Sequence, residues 1–350
     1  MSSNFLLYGA NGYTGKLIAI LAAQKGLRPI LAARNPERIA PLAEELSLEY
    51  RVFSLEDQGA IDQALADVTA VAHCAGPFVR TAKPMVDACL RTKTHYLDIT
   101  GEIGVFEAIA SRDTEAKTAG VMLLPGVGFD VVPSDCLAAH LKSRLPDASK
   151  LSLAFQIVGG VSRGTATTVV ENQHLGGLIR RDGVITNIPA ASKTRTIDFG
   201  EGLVEATTIS WGDVSTAYYS TGIPNIEVYA ALPASRRKAM VMSRYIGWLL
   251  ALPFVQEYLK RQIQQQPPGP SDRDRANGKS LLWGEVENNA GQKLISRLQC
   301  PEAYTLTSMT ALAIVEKVLA GNFTPGFQTP SKVYGADLIL EINGVKRQDL

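Results

Sequence analysis

Seven residues near the start of the chain, Gly9-Ala10-Asn11-Gly12-Tyr13-Thr14-Gly15, have the types and spacing to cradle a pyrophosphate. Gly9 permits a sharp turn, Gly12 lets backbone amides approach an anion with no Cβ in the way, and Gly15 lets a following helix pack close to a preceding strand. The flanks supply both elements. Phe5-Leu6-Leu7 is a short apolar run suited to a buried strand, and residues 16–23 have helical apolar spacing that ends at Gly26. The helix N-terminus then faces the anion with free N–H groups and its positive dipole end. Three glycines alone also fit an ordinary tight turn, and it is the strand before and the helix after that make this stretch a dinucleotide cradle.

Other residues could complete such a site. The expected second strand, residues 29–33, ends at Arg34, with Arg38 one helical turn further on and no carboxylate between Leu27 and Pro36. A fold that prefers NAD places an acidic residue there for the ribose 2′-hydroxyl, whereas Arg pairs with a 2′-phosphate, so the strand end favours NADP(H). Asp57, after the third strand, falls beside the adenine edge or serves as a solvated helix start. Ala75-Gly76-Pro77 follow the fourth strand and are small enough for a cofactor to pass close to backbone on the nicotinamide side. His73 and Cys74 are neighbours in that strand and point to opposite faces, which suits core roles better than a shared metal. Asp98 sits at the carboxyl end of the fifth strand, as a catalytic group or as a helix cap. Asp130, in the run Pro125-Gly126-Val127-Gly128-Phe129-Asp130-Val131-Val132-Pro133-Ser134-Asp135, is the first choice for a cleft carboxylate, with a backbone-fixing role as the alternative.

Several chemistries lack their residues. None of the 11 tyrosines is followed four residues later by Lys, so short-chain dehydrogenase acid chemistry is unsupported. His73, His95, His140 and His174 show no metal spacing, and no G-x-S-x-G elbow occurs. No metal is expected, and without a basic stripe interleaved with aromatics no nucleic-acid partner is expected either.

The elements that position these residues alternate strand and helix through residue 124, the rhythm of a parallel doubly wound sheet. Ser134 has the type and place expected of the cap of a helix to about residue 145. Beyond residue 150 the texture turns to strands at 151–157, 194–199, 204–211 and 226–232 with a helix at 165–180, then a hairpin at 281–298 and an amphipathic helix at 304–319. The predicted fold class is therefore α/β: an N-terminal Rossmann domain over 1–130, a second α+β domain of mixed, mainly antiparallel sheet over 131–303, and a C-terminal segment, 304–350. The proline-rich stretch 264–275 reads as a mobile surface loop.

A chain of 350 residues is long enough for about two domains at roughly 150 residues each. With 35 Lys and Arg against 34 Asp and Glu, no global field selects a partner. Four cysteines without a C-x-x-C pair and a first strand close to Met1 point to a reducing cytoplasm. The most apolar run, residues 245–255, is too short to span a bilayer; it reads as a buried helix, or else as an apolar substrate entrance or peripheral membrane contact.

Taken together, the chain resembles the saccharopine dehydrogenase-like oxidoreductase family, which includes the trans-acting enoyl reductases. The resemblance covers almost the whole chain and rests on the glycine cradle, on Cys74-Ala75-Gly76-Pro77-Phe78, on His95-Tyr96-Leu97-Asp98-Ile99-Thr100-Gly101-Glu102, on Pro125-Gly126-Val127-Gly128-Phe129-Asp130, and on Gly326-Phe327-Gln328-Thr329-Pro330. It implies an NADP-binding Rossmann domain, a second domain inserted after it, and a C-terminal segment that returns to the first. The function expected is an NADPH-dependent reductase acting on an unsaturated or carbonyl carbon of an apolar, lipid-like substrate. A saccharopine-type amino-acid reductase, using Arg163, Arg180, Arg181 and Arg195 for substrate carboxylates, and an NADP-binding sensor without turnover are the alternatives.

Overall fold

The computed structural model describes residues 4–172 and 176–350, so His174 lies outside the described residues. The chain divides into two compact units, one of residues 1–132 with 304–335 and one of residues 133–303 with 336–350.

In the first unit β1 (Phe5–Tyr8), α1 (Tyr13–Gln24), β2 (Ile30–Ala33), α2 (Pro36–Leu46), β3 (Tyr50–Val52), α3 (Gln58–Leu65), β4 (Ala70–His73), α4 (Phe78–Thr92), β5 (His95–Asp98), α5 (Ile103–Ala110), α6 (Asp113–Ala119) and β6 (Met122–Leu124) follow in order. Every residue of β1, β2, β4, β5 and β6 is buried, with His73, His95 and Asp98 among them, as strands of a parallel sheet covered on both faces are. β3, with Tyr50 and Val52 exposed, is an edge. The parallel order is β6-β5-β4-β1-β2-β3, so the order reverses between β1 and β4, and register sets Tyr8 beside His73 and His73 beside Asp98. The carboxyl ends of these strands carry the candidate residues because ligands of such sheets bind where the order reverses.

The sequence pattern predicts a helix from about Lys83 and a single helix from about Ile103 to Ala119, and the structure differs at both. α4 starts at Phe78 rather than near residue 83 and carries Pro84 in its interior, because a carboxylate 24 residues away caps it: the backbone N–H groups of Phe78 and Val79 donate to Glu102 Oε1 and Oε2 at 2.8 and 2.9 Å. The single helix expected after Ile103 is two helices, broken where Arg112 turns to pair with Asp87 and Glu115.

The second unit contains α7 (Val132–Arg144), β7 (Lys150–Val158), α8 (Arg163–Asn172), β8 (Gly177–Arg181), β9 (Val184–Ile188), β10 (Thr194–Asp198), β11 (Leu203–Ile209), α9 (Asp213–Thr221), β12 (Asn225–Ala231), α10 (Ala234–Leu250), α11 (Pro253–Gln264), α12 (Asp272–Asn277), β13 (Lys279–Glu287) and β14 (Lys293–Pro301). Its sheet is mixed: β12 and β7 are parallel, and the other pairs are antiparallel. Trp283, Leu281, Tyr229, Phe199 and Ile197 pack together in its core. The helix expected over 165–180 ends at Asn172, and β8 and β9 form a hairpin turned at Asp182-Gly183, both at positive φ. That dipeptide is the usual signal of a tight hairpin turn.

The chain then passes through α13 (Ala303–Leu319), β15 (Gly326–Phe327), which extends the first sheet beside β6, and α14 (Pro330–Tyr334). The expected return of 304–350 to the first unit holds only to Gly335, because β16 (Lys346–Asp349) pairs with β14, where Asp349 accepts from Ser296 Oγ at 2.6 Å and meets Arg144 at 3.0 Å.

Candidate functional site

The cradle is built from backbone shape. Gly9 has φ +80°, and a Cβ there would sit 2.9 Å from Ala75 Cβ; a Cβ on Gly15 would sit 2.3 Å from the Gly9 carbonyl oxygen. Both positions therefore exclude side chains, one by conformation and one by the closeness of α1 to the strand end. Gly12 is the N-cap of α1 and offers no side-chain cap, and the first turn of α1 has no acidic residue. Asn11 and Gly12 are exposed while Ala10 is buried, so the turn into α1 is open to solvent with no side-chain cap at its N-cap, as an anion site requires. Tyr13 packs edge-on against Tyr304 with ring centroids 5.1 Å apart, and Thr14 is half-buried.

Arg34 and Arg38 are both exposed, just beyond β2 and in the first turn of α2. The Arg34 charge acts on Tyr8, whose hydroxyl burial pushes up to about 12. Between them Asn35 caps α2 by accepting from Glu37 N–H at 2.9 Å. Asp57 caps α3 in the same way, accepting from Ala60 N–H at 3.0 Å, which uses one of its oxygens.

The other side of the sheet end is a set of interlocked turns. Ala75 and Pro77 are half-buried, Gly76 is exposed, and the Gly76-Pro77 peptide is cis. Thr81 Oγ1 donates to the Ala75 carbonyl at 2.6 Å. Asp98 is fully buried. Its Oδ2 accepts from Tyr96 Oη at 2.6 Å, and its Oδ1 accepts from the N–H groups of Thr100 and Gly126 at 3.0 and 2.9 Å. Burial raises its carboxyl to about 6 against the pull of those three donors. Asp98 thus joins the ends of β5 and β6.

Asp130 differs. Its residue keeps some exposure, its carboxyl has no hydrogen-bond partner among the described residues, and burial of the acid pushes it up to about 7. It lies against Gly101, where a Cβ would come 2.5 Å from Oδ2. The turn that carries it is fixed from α13: Thr307 Oγ1 accepts from Phe129 N–H at 3.0 Å, and Thr310 Oγ1 donates to the Val127 carbonyl at 2.8 Å. His73 is fully buried among Tyr8, Phe78 and Tyr96, with neither ring nitrogen partnered, and desolvation lowers it to about 3. A neutral imidazole inside an aromatic box is a core residue.

A family model described as the saccharopine dehydrogenase NADP binding domain matches residues 5–124. Residues 5–124 are thus similar to this family's NADP-binding domain. Curated relatives include the trans-acting enoyl reductase of Mycobacterium ulcerans, 30% identical over 159 residues that cover 43% of this chain and 38% of that protein. The trans-acting enoyl reductase of Mycobacterium leprae is 31% identical over 152 residues, 41% of this chain and 36% of that protein. The matches span less than half the length of these relatives. Among solved structures, the apo saccharopine dehydrogenase (L-Glu forming) of Saccharomyces cerevisiae aligns over 99% of both chains with a TM-score of 0.68 at 13% identity, a likeness of fold.

A match to an NADP-binding domain gives NADP(H) as the cofactor. The residues fit it: the cradle excludes side chains where a pyrophosphate would lie close to backbone, and two exposed arginines stand at the strand end where a 2′-phosphate would be read. Glu102, Thr307 and Thr310 hold the site together and escaped the sequence reading. Glu102 reaches α4 from 24 residues away, and the threonines act across 178 and 183 positions, so no local pattern announces them.

Proposed function

We propose that this protein is an NADPH-dependent oxidoreductase that reduces an unsaturated or carbonyl carbon of an apolar, lipid-like substrate, in the manner the name of its enoyl reductase relatives suggests. The observation that carries the reading is Asp130: a half-buried residue whose carboxyl has no hydrogen-bond partner among the described residues and is raised to about 7, on a turn held by two threonines within an NADP-binding domain. NADPH, when bound, supplies the hydride equivalent. The chain's own tasks are to hold the acceptor, keep water away and place one proton, and an acid that titrates near neutrality suits that last task.

Gly9, Ala10, Asn11, Gly12, Tyr13, Thr14 and Gly15 would hold the pyrophosphate, Arg34 and Arg38 the 2′-phosphate, Asp57 the adenine edge, and Ala75, Gly76 and Pro77 would border the nicotinamide half. Asp98 fits a positioning role better than a catalytic one, since both its oxygens are already occupied. The amino-acid alternative loses support. Arg163 binds the Gln266 carbonyl, Arg180 the Val214 and Gly183 carbonyls, and Arg195 Glu285, so three of the four candidate cations have other partners. With a lipid-like substrate goes the proposal of peripheral membrane contact through residues 245–255.

Following NADPH oxidation with enoyl, keto and imino acceptors tests the reading. Turnover on an α,β-unsaturated acyl acceptor, with hydride and one proton added across the double bond, is the expected result. Tight NADPH binding with no turnover on any class would favour the sensor instead.

A further inference from the structure

Helix α10 is turned the wrong way for a helix of a water-soluble protein. Its covered side follows Arg237, Met240, Ser243, Gly247 and Leu250, and none of its residues is fully buried. Its outward side carries Val241, Met242, Tyr245, Trp248 and Leu249. That spacing, i, i+1, i+4, i+7 and i+8, is an apolar stripe that an amphipathic helix normally packs against a core. Here Met242 is 54% exposed, Tyr245 and Trp248 each 71%, and on α11 Phe254 and Tyr258 are 69% and 62% exposed. Four exposed aromatics on two consecutive helices form a patch that water does not favour.

The charges beside the patch identify what covers it. Across residues 234–264 six basic residues stand against the single acid Glu257. Arg237 and Lys260 pair with Glu205 and Glu171, while Arg236 and Lys238 make no ion pair among the described residues. Aromatics with one apolar and one wet end, flanked by cations, form the composition that settles at the boundary between lipid headgroups and acyl chains. A second copy of the chain fits worse, because a two-fold contact would set the same cations against themselves. No helix among the described residues is long and apolar enough to cross a membrane.

We infer that α10 and α11 lie in the plane of an anionic bilayer surface, with Tyr245, Trp248, Phe254 and Tyr258 at the acyl boundary and Arg236 and Lys238 among the headgroups. The inference deepens the lipid-like reading of the substrate, but its test needs neither cofactor nor turnover. The full chain is floated with phosphatidylcholine vesicles with and without phosphatidylserine. It should rise with the anionic vesicles and fall back at high salt, and brominated lipid should quench Trp248. The Tyr245→Ser/Trp248→Ser/Phe254→Ser variant should lose about tenfold in bound fraction, while its circular dichroism and NADPH binding match the parent. A parent that stays in the dense layer overturns the inference, as does a variant that floats equally well. A parent dimer that the triple substitution dissociates, with no lipid quenching, also overturns it and assigns the patch to a second copy. Failure here with intact reductase activity would leave the proposed chemistry standing.

Discussion

Asp98 and Asp130 end neighbouring segments of the same unit, and burial raises both carboxyls, yet the two regions do opposite things with the charge. At the end of β5, Asp98 is enclosed by donors that its own fold supplies, the Tyr96 hydroxyl and two backbone N–H groups. On the following turn, Asp130 has burial without such donors. A satisfied buried carboxylate specifies a backbone path, whereas an unsatisfied one at partial exposure is left for a ligand. Burial by itself therefore does not mark a catalytic acid; the hydrogen-bond inventory separates the two.

The largest effect expected from this contrast falls on turnover. Asp130→Asn keeps the shape and removes the transferable proton, so kcat should drop by about 10²- to 10⁴-fold with NADPH affinity unchanged. In the parent, turnover should fall as pH rises past about 7, the acid being active only while protonated. Full activity in the asparagine variant would erase the distinction between the two aspartates.

On the other side, Asp98→Ala should destabilise the fold by roughly 3 kcal/mol, because it strands one hydroxyl and two buried amides at about 1 kcal/mol or more each. Asp98→Asn retains an acceptor for both amides and should cost much less, with turnover close to the parent's. Denaturant titration of the two variants, paired with activity, decides this. An Asp98→Asn enzyme that folds but is inactive would make Asp98 the catalytic member.

Arg34→Ala moves the test to the far end of the cradle, where neither aspartate acts. Loss of charge-assisted bonds to a 2′-phosphate should weaken NADPH by about 1.5–3 kcal/mol and leave NADH nearly unaffected. Isothermal titration with both nucleotides measures it, and Arg38→Ala should show the same preference more weakly. Equal binding of NADPH and NADH by the parent would remove Arg34 from the site.

The smallest effect is on stability against pH. Both acids titrate higher folded than unfolded, where a carboxyl titrates near 4. The native state then holds more protons than the unfolded chain between about pH 4 and 7, so these two groups add stability that is fully present below about 4 and is lost as pH rises through about 6 and about 7. Asp130→Asn should flatten the upper part of that slope in melting curves taken across the range.

Most of the first unit is legible in the sequence. Short, largely apolar strands, glycines at fixed offsets and caps such as Asn35 and Asp57 are local, and local rules place them. The start of α4 was not legible, because Pro84 reads as a first-turn residue until Glu102 is seen supplying the cap. The β8–β9 turn is written in Asp182-Gly183, a two-residue signal that lies just past the helical spacing of residues 165–180.

The sequence by itself determined the cradle, the alternation of strand and helix in the first unit and the arginine at the strand end, since each depends on backbone conformation and neighbours within a few residues. Only the tertiary structure decided which aspartate is satisfied and which is open, and which side of α10 faces solvent. The physical reason is the same in both cases. A hydrogen-bond partner or a covering surface comes from segments distant along the chain, as Gly126 comes to Asp98 across 28 positions, and an apolar stripe shows that something must cover it without showing whether the protein does.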